Sequence, residues 1–576
     1  MNKENHIYVF GNTTVRSALR FPDGLKALEQ SKFNGNLNSA INEQEFSKIL
    51  NEQNIVQLKG DDASLARKWR SAFDKNGFIV QKSISRKKLL NNDDMDPRAQ
   101  KVKQAFPNLK IKGKAYEITP QGHRLAQADS IYEMQDTILR ALLAVQINSF
   151  DLKGKKFKPF VFVLQVLKEL SLLGERLGLN RSELLIVSSV SDHRKVKEIA
   201  AQIIKYRKGR DAAFGKQKKA KYDRHYLSQF ANKVGVKYDT AATYSDPNFK
   251  YMLATGLFSR QGKRFKMNQD KKEIINQILN KEPHFYENEV DYYYNLWNGY
   301  PLPTDDKDVL VSEIKRLATK LNISLIPDEL NKDVPTLKQL EIKLEKRDSN
   351  IQEKKFAEHQ DDEVNIIIKY LKTINGEIKE GEEYQTVRDD MPTFFEWATW
   401  RAFLAIDGLK NSPDESRGFK VDQDFYPVNN APAGCPDIVL EFDNYVLIVE
   451  VTLTTTSRQE AAEAEPVRRH IAFEQEKYPN KPVYGLFLAR SIDNNTAEMF
   501  RMGLWYNKNK PEFINVVPLT LSEFICIMEK YKEMKFTNNQ FERLIEKCLI
   551  PRNATVPLWR NEIHSIIDQY NFVNNH

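Results

Sequence analysis

The chain of 576 residues is too long for a single hydrophobic core, and its length predicts about three to four domains. No apolar run approaches the roughly 20 residues of a membrane span, and the first residues, Met-Asn-Lys-Glu-Asn-His, lack a secretory signal. Charge is divided unevenly, because residues 1–300 hold 52 Lys and Arg against 32 Asp and Glu, whereas residues 301–576 hold 35 against 46. We therefore expect a cytoplasmic protein with no membrane partner, a basic half that binds a polyanion and an acidic half that suits bound cations.

The first basic segment resembles a winged helix, in which a recognition helix is followed by a two-stranded wing. Residues 61–76 have helical periodicity, with their apolar side chains on one face, and Gly77 is suited to end the helix. Residues 78–84 then alternate like a strand, and residues 114–119 supply a return strand. This pattern predicts that residues 1–150 form a winged-helix DNA-recognition module.

Basic side chains of this module are candidates for contact with DNA. Chosen by helix face, charge and position in the predicted wing, they are Arg67, Lys68, Arg70, Arg86, Lys87 and Lys88. Ordinary solvated surface charge explains the wing residues equally well.

Residues 151–300 predict a second, winged-helix-like basic DNA-recognition module. An apolar helix starts at Pro159, and Asn180 with Glu183 has the signature of a helix N-terminus. Residues 205–224 hold nine Lys and Arg against two acids, and residues 257–267 predict a short hairpin turning at Gln-Gly. One predicted helix opens with basic residues although its macrodipole favours acids there, so we expect DNA contacts from Arg194, Lys195 and Lys197.

The remaining chain predicts a connector and a second type of domain. Residues 301–385 are charged and helical in pattern, which fits a helical linker, although a small helical domain fits nearly as well. Residues 386–576 alternate helix and strand, with a helix starting at Thr393, another over residues 465–478 and buried strands over residues 483–489 and 513–519. A mixed sheet flanked by helices is the architecture that such alternation favours.

Two carboxylates lie at the ends of a predicted hairpin in this last domain. Two apolar, β-branched runs flank Asp443-Asn444, which has the residue types of a two-residue type I′ turn. If these two residues form the loop, counting outward from it places Asp437 opposite Glu450. Facing side chains in an antiparallel pair have Cβ atoms roughly 4.5–5.5 Å apart, and like charges there are destabilising. A hard divalent cation bound by oxygen ligands would compensate, so the pair predicts a metal site.

The same residues follow a nuclease pattern. Pro436-Asp437, with Glu450-Val451-Thr452 on the next strand, matches the PD-(D/E)XK arrangement except at its last position, where Thr452 replaces the usual lysine. Phosphodiester hydrolysis needs a nucleophilic water and stabilisation of the charge that develops on oxygen, and metal ions held by carboxylates provide both.

The motifs taken together resemble a known family. Phe395-Glu396-Trp397, Pro436-Asp437, Glu450-Val451-Thr452 and Glu465-Pro466 are similar, in order and spacing, to the cleavage domain of AlwI-type type IIS restriction endonucleases and related strand-nicking subunits. The likeness extends more loosely over nearly the whole chain and implies the nuclease of a prokaryotic restriction-modification system. It implies a metal-dependent active site of Glu396, Asp437, Glu450 and Glu465, with Asp437 and Glu450 as Mg²⁺ ligands. The threonine that follows Glu-Val, Thr452, also resembles the residue that family members have at this position.

Some of these residues have structural explanations as well. Thr393 and Glu396 have the spacing of a capping box, so Glu396 is also a candidate helix cap. Glu465 stands at a predicted helix start, where the macrodipole favours an acid regardless of catalysis. Arg468, Arg469 and His470 fit contact with the scissile phosphate and fit salt bridges with nearby acids at least as well.

We predict a multidomain α+β protein: winged-helix and helical recognition modules, a helical linker and a C-terminal α/β PD-(D/E)XK nuclease domain with a mixed sheet. Its predicted function is Mg²⁺-dependent type IIS cleavage of double-stranded DNA at a fixed offset from a short asymmetric site. One active site per chain implies that a second chain, as a homodimer or a small subunit, or a second catalytic event cuts the other strand. The alternatives are a strand-specific nicking subunit and a non-catalytic DNA-binding protein with a decayed nuclease domain.

Overall fold

The computed structural model describes residues 7–53, 55–56, 64–81, 115–147, 156–261, 263–287, 289–387, 390–432, 435–455, 459–507 and 510–572. Two compact units divide the chain, unit 1 from Met1 to Asp348 and unit 2 from Ser349 to His576. The boundary falls within the predicted linker and inside the helix Val334–Glu358. The protein is mixed α+β and mostly helical, and none of the described helices combines the length and apolar character needed to cross a membrane.

Unit 1 is built mainly from helices. They are α1 (Phe21–Gln30), α2 (Ala40–Glu52), α3 (Ser64–Lys75), α4 (Pro120–Ala126), α5 (Ile131–Ala144), α6 (Pro159–Leu172), α7 (Arg181–Ser188), α8 (Val196–Ala212), α9 (Lys216–Lys233), α10 (Tyr238–Leu253), α11 (Lys272–Lys281), α12 (Glu289–Asn298), α13 (Lys307–Lys320), α14 (Pro327–Leu330) and α15 (Val334–Glu358). A three-stranded antiparallel sheet has the order β1-β3-β2, with strands β1 (Leu179–Asn180), β2 (Phe258–Gln261) and β3 (Arg264–Met267).

Several local predictions for unit 1 are confirmed. The apolar helix begins at Pro159, and Asn180 with Glu183 forms a complete capping box at the start of α7. The predicted hairpin over residues 257–267 consists of β2 and β3, and its last pair is Gln261 with Arg264. Gln261 is therefore a paired strand residue and does not lie in the turn, so the predicted turn position at Gln-Gly is wrong.

The first predicted module shows its helix and part of its strand pair. Helix α3 buries Leu65, Trp69 and Phe73 on one face, as its periodicity predicts. Gly77 ends the helix at a φ of +74°, and the Phe78 N–H reaches the Phe73 carbonyl at 3.0 Å, the pattern of a Schellman motif. Beyond it, the described residues of the two predicted strands meet at one antiparallel bridge, Ile79 with Ile118. The wing candidates lie outside the described residues: Arg86, Lys87 and Lys88.

Unit 2 combines a mixed sheet with helices. Its helices are α16 (Val364–Asn375), α17 (Glu382–Val387), α18 (Met391–Leu404), α19 (Glu465–Lys477), α20 (Asn494–Arg501), α21 (Leu521–Met534), α22 (Asn538–Leu549) and α23 (Val556–Gln569). Its strands are β4 (Ile438–Glu441), β5 (Val446–Thr452), β6 (Val483–Ala489), β7 (Leu504–Asn507), β8 (Lys510–Phe513) and β9 (Asn515–Thr520). The main sheet has the order β4-β5-β6-β9, and β7 pairs with β8 separately.

The main sheet is mixed, as predicted. Strand β4 runs antiparallel to β5, whereas β6 runs parallel to both β5 and β9. Every residue of β6 is buried, so both faces of the sheet are covered at its centre. The large side chains of Trp400 and Trp559 are completely buried in the same core.

The predicted hairpin register is confirmed, and its predicted turn type is wrong. Ile438 pairs with Val449 and Glu441 with Val446, and the Phe442 N–H donates to the Tyr445 carbonyl at 2.9 Å. A type I′ turn needs positive φ at both loop residues, but neither Asp443 nor Asn444 is among the positive-φ residues. The alternation of the strands therefore sets the register here, without the primed turn.

Candidate active site

Asp437 directly precedes β4, and Glu450 lies two residues before the end of β5. One rung beyond the Ile438–Val449 pair, the continuing register sets Asp437 opposite Glu450. Asp437 Oδ2 accepts the Val451 N–H at 2.8 Å, which fixes that side chain across the pair of strands. Glu450 is buried and Asp437 keeps part of its surface open to solvent. The predicted pair of facing carboxylates is therefore present.

Glu396 reaches this site from helix α18. Its carboxylate accepts hydrogen bonds from Asn430 Nδ2 at 2.6 Å and from the Ala431 N–H at 2.8 Å. Helix α18 begins at Met391, two residues earlier than predicted, and Thr393 Oγ1 lies within hydrogen-bond distance of the side-chain oxygens of Asp390 and Asn430. The capping-box explanation of Glu396 is therefore wrong, because its carboxylate is held by a distant loop and not by the helix start.

Glu463 is the fourth acid at this site, and it was not among the residues predicted from the sequence. Its Oε1 accepts a hydrogen bond from Thr452 Oγ1 at 2.9 Å and lies 3.4 Å from Thr454 Oγ1. Thr452 stands where the PD-(D/E)XK pattern has lysine, and its hydroxyl holds the carboxylate of Glu463. Glu465, by contrast, has a side chain that is 57% exposed and pairs with Arg469 at 3.3 Å.

An irregular helical turn explains the difference between the two acids. Residues Glu460–Ala464 form a π-helix that continues into α19, and Glu463 lies in it. A π turn changes the direction of the side chains relative to an α-helical turn, and such turns are frequent at functional sites. Residues 460–465 contain three acids: Glu460, Glu463 and Glu465. Glu463 differs from the other two in accepting the hydrogen bond of the Thr452 hydroxyl.

Burial raises the pKa of all four carboxyl groups, and the charges of neighbouring acids add to this effect for three of them: Glu396, Asp437 and Glu450. Burial raises the pKa of Glu396 well above its usual range, and the charge of Asp437 adds to this effect. Burial, then the charge of Glu450, does the same to the pKa of Asp437. For Glu450 the causes are burial and the charges of Glu463 and Glu396, and burial raises the pKa of Glu463 as well. All four acids therefore belong to one electrostatic cluster, called the acid cluster below.

His470 contacts the acid cluster from α19. Its Nδ1 lies 2.6 Å from Glu450 Oε1, and both side chains are buried. Burial lowers the pKa of His470, and the neighbouring Arg469 lowers it further. The two arginines before it have other roles, because Arg468 donates to the Leu504 carbonyl at 2.7 Å and Arg469 pairs with Glu465. Of the two explanations that the sequence left open for these residues, contact with acids is the one present for Arg469 and His470.

Gly418 lets the chain segments around the cluster approach closely. A Cβ atom at this position would lie 2.5 Å from the Pro436 carbonyl oxygen and 2.7 Å from the Ala431 Cβ. The Gly418 N–H donates to the Asp437 carbonyl at 2.8 Å. Glycine is therefore required where the loop that holds Glu396 passes the strand end that carries Asp437.

The donor set of the cluster suits a hard divalent cation. Four carboxyl groups supply oxygen ligands, the type that Mg²⁺ prefers, and a cation would relieve the repulsion that raises their pKa values. Within the described ranges, no three His, Cys, Asp or Glu side chains are close enough together to hold a metal ion as they stand. The residues therefore match such an ion in chemistry and charge.

The predicted DNA-binding residues of unit 1 fall into two groups. Arg70 is committed to the fold, because its guanidinium contacts Glu43, donates to the Leu37 carbonyl at 2.7 Å and lies over the Tyr116 ring. Arg67 contacts the same Glu43 at 3.3 Å but has a side chain that is 59% exposed. The remaining candidates are partly or fully exposed: Lys68, Arg194, Lys195 and Lys197. Among these, Arg194 pairs with Asp192 at 2.9 Å.

Comparison with known proteins gives a matching family and similar solved structures. The model of the AlwI restriction endonuclease family matches residues 104–527, which is most of the chain. Among solved structures, the crystal structure of the small subunit (R.BspD6I2) of the heterodimeric restriction endonuclease R.BspD6I is similar over 36% of this chain and 100% of that chain, with 25% sequence identity and a TM-score of 0.29. No curated protein matches the chain.

Proposed function

The chain belongs to the AlwI restriction endonuclease family, and from that premise we propose that it is a type IIS DNA endonuclease. It recognises a short asymmetric site in double-stranded DNA and hydrolyses phosphodiester bonds at a fixed offset, in a reaction that depends on Mg²⁺. The observation that supports catalysis is the acid cluster, in which buried carboxyl groups raise one another's pKa. Such perturbed groups are typical of functional sites.

Asp437 and Glu450 are the proposed Mg²⁺ ligands of this site. A bound Mg²⁺ would supply Lewis-acid stabilisation of phosphoryl oxygens and lower the pKa of a water molecule. Glu396 and Glu463 complete the set of oxygen ligands or orient the attacking water. In this proposal Glu463 takes the role that the sequence assigned to Glu465, because Glu463 belongs to the cluster and Glu465 is exposed.

Thr452 and His470 hold acids of the cluster in place. The Thr452 hydroxyl donates to Glu463, and His470 Nδ1 contacts Glu450, so each fixes one carboxylate from outside the cluster. Partners of this kind orient the groups that contact a metal ion, and their loss typically costs 10–100-fold, roughly, in activity or affinity. The site therefore has an orienting group at the lysine position although it has no lysine there.

The basic unit 1 is proposed to recognise DNA and the acidic unit 2 to cut it. We retain the division into a winged-helix module (residues 1–150), a second winged-helix-like module (151–300), a helical linker (301–385) and a PD-(D/E)XK nuclease domain (386–576). The helical residues 301–385 would set the distance between the recognised bases and the cleaved bond. One acid cluster per chain cuts one strand at a time, so cleavage of both strands needs a second chain or a second event.

Cleavage of supercoiled plasmid DNA in Mg²⁺ tests the catalytic proposal. Wild type should nick or linearise the plasmid, and Asp437→Asn should abolish both products. The matched control is Asp443→Asn, because Asp443 lies on the same hairpin with a side chain that is 72% exposed. If wild type leaves the plasmid supercoiled, the chain is instead a non-catalytic DNA-binding protein.

Run-off sequencing of the cleaved DNA tests the type IIS proposal. Breaks at one fixed distance from a shared short sequence would support it, and breaks at scattered distances would contradict it. Breaks confined to one strand would identify the chain as a strand-specific nicking subunit. The same data give the recognition sequence and the offset.

A further inference from the structure

The turn between α8 and α9 presents a phenylalanine to solvent. Phe214 is 89% exposed, more than any other large hydrophobic side chain in the described part of the chain. It follows Ala212, the last residue of α8, by two positions, and Gly215 at a φ of +87° starts α9 directly after it. The ring therefore lies at the tip of a helical hairpin, where it gains nothing from the core.

The arms of this hairpin are locked together below the tip. The rings of Tyr206 and Tyr222 stack with centroids 5.9 Å apart, and Tyr226 continues the stack at 5.6 Å from Tyr222. Arg210 pairs with Asp223 at 2.9 Å across the two helices. The tip is thus held by aromatic and ionic contacts before any ligand arrives, which lowers the entropy cost of using Phe214 in binding.

Positive charge surrounds the phenylalanine on both arms. Three arginines of residues 205–224 are paired with acids: Arg207 with Glu183, Arg210 with Asp223 and Arg224 with Asp239. Four lysines on the same two arms are exposed: Lys205, Lys208, Lys218 and Lys221. An apolar ring set among exposed ammonium groups is complementary to a stack of bases between two phosphate backbones.

We propose that Phe214 is a wedge that inserts against a base step of duplex DNA while the flanking lysines contact phosphates. Apolar side chains used in this way unstack the step and bend the duplex, and the bend brings more of the protein into contact with DNA. The wedge rests on the proposed function only in that duplex DNA is the ligand of unit 1. It adds distortion of the DNA as part of recognition, which contributes specificity at base pairs that no side chain reads.

A protein partner is the competing occupant of this surface. Leu172, Leu173 and Leu177 are also exposed, and the Arg176–Asp211 pair at 3.3 Å brings their turn close to the end of α8. A docked protein would cover these leucines together with Phe214, whereas a base step would accept the single projecting ring. Charge favours DNA, because four exposed lysines lie on the two arms, whereas the exposed Asp211 is paired with Arg176.

Fluorescence of 2-aminopurine tests the wedge, because this base brightens when it is unstacked. The duplexes carry sites selected for binding from a random pool in EDTA, so cleavage is not needed, with one adenine at a time replaced. Wild type should brighten one position, and Phe214→Ala should abolish that signal and weaken binding about tenfold. Phe214→Leu should keep most of the signal, since leucine also serves as a wedge.

Leu172→Ala is the matched control, since Leu172 is 73% exposed on the neighbouring turn. It should match wild type in fluorescence and in affinity. The wedge is overturned if Phe214→Ala binds and brightens like wild type, or if Leu172→Ala loses as much as Phe214→Ala. It is also overturned if Phe214→Ala alters self-association, measured by sedimentation, with DNA binding unchanged.

The two proposals fail in different measurements. A protein that leaves plasmid DNA intact but brightens 2-aminopurine through Phe214 keeps the wedge and loses the endonuclease. A protein that cuts at a fixed offset without the Phe214-dependent signal keeps the endonuclease and loses the wedge.

Discussion

The two units each bury a group of acids, and the groups differ in what neutralises them. In unit 1, Glu313, Glu341 and Glu345 come together on α13 and α15 with three basic side chains: Lys271, Arg316 and Lys338. In unit 2, the acid cluster of Glu396, Asp437, Glu450 and Glu463 has no Lys or Arg contact among the described residues. The acids of the first group are balanced by basic side chains in a network of ion pairs. The acids of the second group have no such balancing positive charge among the described residues.

The comparison indicates that uncompensated charge, more than the number of acids, distinguishes the proposed active site from a structural network of ion pairs. Lys271 Nζ lies 3.1 Å from both Glu313 and Glu345, and these charges raise the pKa of Lys271 despite its burial. In the acid cluster the neighbouring charges act in the same direction as burial and raise the pKa of Asp437 and of Glu450 further. A protein keeps such repulsion where a bound cation or substrate relieves it.

Replacing the basic side chain of Lys271 in unit 1 should have the largest effect on stability. Lys271→Met removes the basic partner of Glu345 and one of the two basic partners of Glu313, and we expect unit 1 to lose about 3 kcal/mol of stability. Denaturant unfolding followed by circular dichroism measures the loss. Lys272→Met is the control, because Lys272 is exposed on α11 and should change stability little. Equal effects from the two variants would remove the distinction between the acid groups.

Replacing one acid of the cluster should abolish most activity without unfolding the protein. Glu463→Gln keeps size and hydrogen bonding but removes a charge, and we expect cleavage to slow about 100-fold. Glu465→Gln, two residues away and exposed, should stay within about twofold of wild type, because a surface ion pair contributes little. Single-turnover cleavage rates decide between them. A larger loss for Glu465→Gln would restore the assignment made from sequence.

The acid cluster should cost stability when no cation is present. In EDTA, Asp437→Asn removes one repelling charge and should stabilise unit 2 by about 1 kcal/mol. Thermal unfolding with and without Mg²⁺ measures this, and Mg²⁺ should stabilise wild type more than the variant. Asp443→Asn should behave like wild type in both conditions. A less stable Asp437→Asn protein in EDTA would show that Asp437 is structurally required.

Stability of unit 1 should fall as pH rises from about 4.5 to about 7. Burial, opposed by Lys271, raises the pKa of Glu345 from 4.5 to about 7. The folded state therefore holds a proton that the unfolded state releases, so this contribution is complete below about pH 4.5 and is lost as pH rises through about 7. Glu345→Gln should flatten stability between pH 5 and 8 in urea titrations. Glu358→Gln, exposed on the same helix, should leave the slope unchanged.

The sequence predicts those parts of the site that depend on strand alternation. Side chains alternate along β4 and β5, so the facing position of Asp437 and Glu450 follows from counting residues. The conformation of the loop at Asp443-Asn444 does not follow, because several backbone conformations connect the same register. The central strand of the mixed sheet was also predictable, for a different reason: it is a short, continuously apolar run.

The remaining two acids depend on features that a local pattern does not contain. Thr393 and Glu396 have the spacing of a helix cap, but Asn430 and Ala431, more than 30 residues away along the chain, take the carboxylate. Glu463 and Glu465 differ only in which one an irregular turn directs toward Thr452. Long-range hydrogen bonds and departures from regular geometry therefore set the limit of the sequence prediction.

The π turn at Glu460–Ala464 makes the site depend on the number of residues in the chain as well as on their identity. An α-helix turns by about 100° per residue. Deletion of Ala464 alone would therefore rotate the residues that precede it, including Glu463, about the helix axis relative to α19. Glu463 would then rotate away from Thr452 although every acid was still present. A relative with the same acids but one residue fewer between β5 and α19 would carry an intact motif and an incomplete site.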